Sequence, residues 1–131
     1  MTAFEVEQIA ERVRRYYALV DDGDVPGVVG LFADRAVYER PGYEPIVGRN
    51  GLDAFYRGRR VIDVGTHTVV RLVVGPGDAA VEGEFRGTLK DGSEVDLRFA
   101  DFFRLNEDLL FEVRNTYFFS PMCVSAGRRR A

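Results

Sequence analysis

Residues 81–105 read VEGEFRGTLKDGSEVDLRFADFFRL, and this stretch decides the fold. Val81, Gly83, Phe85, Gly87 and Leu89 alternate with Glu82, Glu84, Arg86 and Thr88, the period of two that marks a strand with one apolar face. Asp91-Gly92 is a strong hairpin signal. Leu97, Phe99, Asp101, Phe103 and Leu105 then alternate again, so the stretch predicts two antiparallel strands. Upstream, residues 66–74 are rich in β-branched side chains and stop at Gly75-Pro76-Gly77. Downstream, Asn106-Glu107-Asp108 turns the chain, and Phe111, Val113, Asn115, Tyr117 and Phe119 share one face of a last strand. A short earlier strand is expected from about Arg35 to Arg40.

The period before residue 60 is different. Val6, Ile9, Ala10, Val13, Tyr16, Tyr17 and Val20 form one helical stripe, with Thr2 and Glu5 in capping-box spacing ahead of it and Gly23 suited to its end. Asp24 and Pro26 open a second, short helix, and a third is expected after Asn50, with Leu52, Phe55 and Tyr56 on one face. Helices first and an antiparallel meander of four to five strands afterwards mean an α+β fold, with the three helices as the only cover for the apolar face of the sheet. A curved sheet wrapped over helices makes a cone with an internal apolar hollow, the usual place for a small ligand.

Composition narrows the function. The chain has 131 residues, 46% hydrophobic and 30% charged, which fits one domain, expected over residues 1–125, with 126–131 as a basic tail. Apart from Arg128, Arg129 and Arg130, 15 basic residues face 21 acidic ones, a balance unlike that of a nucleic-acid binder. No apolar run approaches a membrane span and the N-terminus does not read as a secretory signal, so a cytoplasmic protein is expected. One cysteine, Cys123, and one histidine, His67, leave no Cys-rich or multi-histidine metal set, and no cofactor-binding motif occurs.

The residue richest in chemistry is Asp101, a carboxylate on the apolar face between Phe99 and Phe103. Buried there, it must be protonated, paired or hydrogen-bonded. Tyr16 lies on the buried stripe of the first helix, and its hydroxyl needs a partner; Tyr17 competes for the same role. Alternation puts Tyr38 and Arg40 on one side of their strand, so Arg40 is expected at the rim of the hollow if Tyr38 faces it. His67, between Thr66 and Thr68, reads first as a hydrogen-bonded polar residue.

Residues 15–24, RYYALVDDGD, followed by residues 31–41, LFADRAVYERP, resemble the opening of bacterial ketosteroid isomerases, and residues 100–105, ADFFRL, and 114–118, RNTYF, resemble their last two strands. The likeness extends over roughly residues 5 to 120 and reaches the wider superfamily of SnoaL-like polyketide cyclases, limonene-epoxide hydrolase and nuclear transport factor 2. It implies a cone-shaped barrel with a deep cavity and a homodimer. It matches Tyr16 to the family tyrosine and Asp101 to the family oxyanion-hole acid, while Arg40 occupies the position of the catalytic base, a departure that removes the carboxylate steroid isomerisation uses.

The resemblance therefore implies a cofactor-free isomerase or cyclase acting on a hydrophobic carbonyl compound. Asp101 would take the proton, and Tyr16 and Arg40 would stabilise the oxyanion. Tyr38, Phe55, Phe85, Phe99, Phe103, Asn115 and Tyr117 would bind substrate. Two other readings are an epoxide hydrolase or epoxide-opening cyclase and a non-catalytic small-molecule-binding or dimerisation module.

Overall fold

The computed structural model describes residues 1–119; Cys123 and the basic tail expected at 126–131 lie outside the described residues. Helix α1 (Ala3–Asp22) begins where the Thr2 side chain accepts from the Glu5 N–H and ends at Gly23, whose φ of 75° gives the left-handed cap. It buries Ile9, Val13, Tyr16, Tyr17 and Val20, the stripe read from the sequence. Helix α2 (Val25–Gly30) is capped by Asp24, which accepts from the Gly27 N–H. Helix α3 (Gly48–Ala54) starts ahead of the expected Asn50 and runs into one π-helical turn, Phe55–Arg59, that seats Phe55 in the core.

The strands are β1 (Phe32–Glu39), β2 (Ile46–Val47), β3 (Ile62–Gly75), β4 (Asp78–Leu89), β5 (Glu94–Leu105) and β6 (Phe111–Phe118). They make one six-stranded sheet in the order β2-β1-β6-β5-β4-β3, one or two strands more than expected. The extra strand is β2, whose two residues carry no readable alternation. β3 through β6 form the antiparallel meander, while β1 pairs parallel to β6, which makes the sheet mixed and leaves it unclosed. The three helices lie with this curved sheet in an α+β cone, as the residue periods require.

Glycines let the cone curve around large rings. A Cβ on Gly83 would stand 2.4 Å from the Phe99 ring, and one on Gly65 would stand 2.3 Å from the Phe85 ring. Strand positions without side chains thus admit the aromatic groups of the neighbouring rows.

A bulge in β6 corrects one expectation. Arg104 pairs with Val113 and Leu105 with Phe111, so one step on β5 spans two on β6. The extra residue reverses the alternation after Phe111. Arg114 and Thr116 turn inward, whereas Tyr117, at 57% exposed, lies on the outer face in edge contact with Phe102. Asn115 pairs with Phe102 and borders an open hollow on that same outer face. Neither Asn115 nor Tyr117 is in the interior.

Candidate active site

Ring packing fills most of the cone. Tyr16, Tyr38, Phe55, Phe103 and Phe111 are sealed from water, and the internal cavity that remains measures about 30 Å³, the space of a water molecule or two rather than the expected deep chamber. Arg40, His67, Phe85, Phe99, Arg114 and Thr116 are among its lining residues.

Asp101 is fully buried on β5, directly across from Thr116 on β6. Its Oδ2 accepts from Arg114 Nη2 at 2.8 Å and from the Tyr17 hydroxyl; its Oδ1 accepts from the Thr116 hydroxyl. Charge and three donors thus compensate the burial of the carboxylate. Asp101 does not line the cavity, but its partners Arg114 and Thr116 do.

Arg114 is the centre of the cluster. Its guanidinium stands 4.5 Å from the Tyr16 ring centre and 4.4 Å from that of Tyr38, and Nη1 reaches the Tyr56 hydroxyl at 3.4 Å. Burial works against its charge, but Asp101 together with the Tyr16, Tyr38 and Tyr56 hydroxyls more than offsets this and holds the pKa well above the ordinary arginine value. The Nε–H of Arg114 is buried and has no hydrogen-bond partner among the described residues.

The tyrosines divide the work differently from the expectation. Tyr17, not Tyr16, donates to Asp101, because the next residue along the helix is the one aimed at β5. Tyr16 instead shares a hydrogen bond with Tyr56. Burial, and for Tyr17 also the Asp101 charge, raises the phenols of Tyr16 and Tyr17 well above 10.0; burial raises Tyr56 to about 12. All three are neutral donors at neutral pH.

Arg40 lines the cavity and donates from Nη1 to the Tyr38 hydroxyl at 3.3 Å; its guanidinium also lies near the Phe55 and Phe118 rings. The cation paired with Asp101 is Arg114. Phe85 and Phe99 line the cavity beside Arg40, while Tyr38, Phe55 and Phe103 pack around the two guanidinium groups. A second hollow, a groove of about 300 Å³, runs between the C-terminal end of α1 and the start of β3; Tyr56 and Ile62 border it, and Ile62 borders the internal cavity too.

Sequence reasoning missed Arg114, Thr116 and Tyr56. Arg114 and Thr116 stood in phase with outward residues until the bulge reversed them. Tyr56 carried a signal, its place on the apolar face of the third helix, but nothing in the sequence pointed it at Tyr16. Among the described residues no three His, Cys, Asp or Glu side chains converge as a metal site, and no helix is long and apolar enough to cross a membrane.

The SnoaL-like domain family matches residues 13–113. Among solved structures, the epoxide hydrolase/cyclase-like enzyme SalBIII, of pyran ring formation in the polyether salinomycin, superposes with a TM-score of 0.76 at 20% identity over 86% of this chain and 91% of its own. An NTF2-like protein from Burkholderia pseudomallei gives 0.76 at 19% identity, over 84% of this chain and 89% of its own. A protein of ketosteroid isomerase-like fold from Catenulispora acidiphila, in complex with trimethylamine, gives 0.75 at 17% identity over 87% and 88%. These likenesses establish the shared fold.

Proposed function

The chain belongs to the SnoaL-like domain family, and on that premise we propose that it is a cofactor-free isomerase or cyclase acting on a hydrophobic small molecule that carries a carbonyl group. The observation that carries this reading is that two arginines, Arg114 and Arg40, line one internal cavity, and that the buried Nε–H of Arg114 has no partner among the described residues. A donor of that kind, fixed by Asp101 and by the Tyr16 and Tyr38 rings, stabilises negative charge developing on a substrate oxygen. Arg40 supplies a second positive charge at the same cavity. Asp101 holds Arg114 in place and balances its charge. The substrate body would occupy the groove beside Tyr56 and displace side chains around the small cavity. The homodimer implied by the resemblance belongs to the same proposal and is read by sedimentation.

A second reading, epoxide opening by water or by an internal hydroxyl, draws on the Asp101–Arg114 pair and on the likeness to the epoxide hydrolase/cyclase-like enzyme. One experiment addresses both. The protein is incubated in D₂O with a panel of enones, 1,3-dicarbonyl compounds and epoxides, and products and α-deuteration are followed by NMR. Isomerised, cyclised or α-deuterated carbonyl compounds support the first reading; diols or cyclic ethers support the second. Turnover should fall by about 10²–10³-fold in Arg114→Gln and in Arg40→Met, with folding checked by circular dichroism. Binding without any turnover would leave the non-catalytic reading in their place.

A further inference from the structure

Outside the Asp101 cluster, a two-pronged polar contact joins the only histidine of the chain to the end of α1. Asp21 Oδ1 lies 2.6 Å from His67 Nδ1, and Asp21 Oδ2 accepts the His67 backbone N–H at 2.9 Å. One carboxylate thus grips both the ring and the main chain of β3. An ionised carboxylate only accepts, so Nδ1 carries the proton and Nε2 holds the lone pair. The ring is wedged against Phe85 at 4.7 Å, Tyr17 at 5.4 Å and Phe99 at 5.7 Å, which fixes its orientation. Nε2 makes no hydrogen bond among the described residues.

Position gives this pair its meaning. His67 lines the internal cavity with Arg40, Arg114 and Thr116, while Asp21 borders the larger groove outside it. The dyad thus touches both hollows: its ring lines the one that Arg114 lines, and its carboxylate residue borders the groove. Burial lowers the pKa of His67; Asp21 opposes this, and the charges of Arg114 and Arg60 reinforce it. The imidazole is therefore in its basic form at neutral pH.

We propose that His67, oriented by Asp21, is the general base of this cavity, a role resting on the acid–base reading above. Nε2 removes a proton from the carbon next to the substrate carbonyl; the C–H electron pair becomes the enolate, whose oxygen faces Arg114. The imidazolium, stabilised by Asp21, then returns the proton to a different carbon of the conjugated system, which completes an isomerisation with no change in oxidation state. Asp21 is a positioning residue. Asp101, its oxygens occupied by three donors, is left to anchor Arg114.

The test needs no known substrate. Long-range ¹H–¹⁵N spectra of the single histidine should show the neutral Nδ1–H tautomer at pH 7. Diethyl pyrocarbonate, which acylates unprotonated imidazole nitrogen, should modify His67 measurably but more slowly than free imidazole, because the ring is packed between Phe85, Tyr17 and Phe99. In Asp21→Asn the Nε2–H tautomer should appear and the acylation rate should drop several-fold while the circular dichroism spectrum is unchanged. A native Nε2–H tautomer overturns the proposal, because the lone pair would then sit on Nδ1 against Asp21 and point away from any substrate. The carbonyl panel provides the second arm: His67→Gln should lose about 10²-fold or more in turnover. If Arg114→Gln loses turnover and His67→Gln does not, the dyad is overturned and the enzymatic reading stands. If no compound turns over, that reading fails, and the tautomer alone decides whether the dyad is a poised base.

Discussion

Arg114 and Asp101 form an ion pair at 2.8 Å whose side chains are 5% and 0% exposed, with Tyr17 and Thr116 completing the shell of the carboxylate. Removing one member strands a buried charge, whereas removing both leaves a cavity among apolar rings. Arg114→Met or Asp101→Leu should each cost about 3–5 kcal/mol, and the double replacement should cost well below their sum. Urea denaturation of the four proteins measures this. Additive costs would mean that the two charges are not coupled.

Alkaline stability should depend on three phenols. Tyr16, Tyr17 and Tyr56 are raised above the value of 10.0 that they regain on unfolding. Their contribution is fully present below pH 10 and is lost as the pH climbs toward their folded values. Tyrosinate absorbance should therefore rise for these three only as circular dichroism reports unfolding. Titration of all six tyrosines at ordinary values in a folded protein would contradict the burial of this cluster.

The acid limb should carry the signature of His67. Its folded pKa lies below 6.5, so the unfolded chain binds the proton first as the pH drops, and stability declines from pH 6.5 down through the folded value. His67→Gln should flatten this portion of the stability curve, as measured by thermal unfolding from pH 7.5 to 5. An unchanged slope would assign the acid sensitivity to other groups.

Gly83 should resist even alanine. A methyl group there meets the Phe99 ring at 2.4 Å, an overlap that forces the ring or the strand to move. The cost should be about 1–3 kcal/mol, greater than the ~0.4–1 kcal/mol that loss of glycine flexibility returns. Phe99→Leu should relieve a large part of it. Calorimetry of the single and double variants decides.

Local pattern carried much of the architecture. The stripe of α1, its two caps, the hairpin at Asp91-Gly92 and the inward Asp101 all follow from spacing, because helical and strand periods are set by bond geometry. Arg40, placed beside Tyr38 by alternation alone, does meet it. What spacing could not convey was phase after an insertion. Glu112 sits where β6 bulges, and no residue type announces the bulge, so the sequence offers Asn115 and Tyr117 to the interior while the fold offers Arg114 and Thr116. The choice of Tyr17 over Tyr16 for Asp101 has a similar origin. Neighbours on a helix are about 100° apart, both within a broad buried stripe, and only the rotation of α1 against the sheet selects one. Asp21 and His67 are 46 residues apart, and only the docking of α1 on β3 makes them neighbours.

The parallel pairing of β1 with β6 has a consequence for how the chain assembles. Phe32 must find Phe111, 79 residues further along the chain, whereas β3, β4 and β5 are joined by short turns. Closing so long a loop before its contacts form is slow, so the hairpins should be protected first and β1 last. During synthesis β1 emerges early and waits for a strand not yet made. Pulsed hydrogen exchange during refolding should find the β1 amides the last to gain protection; protection there ahead of β4 would reverse this order.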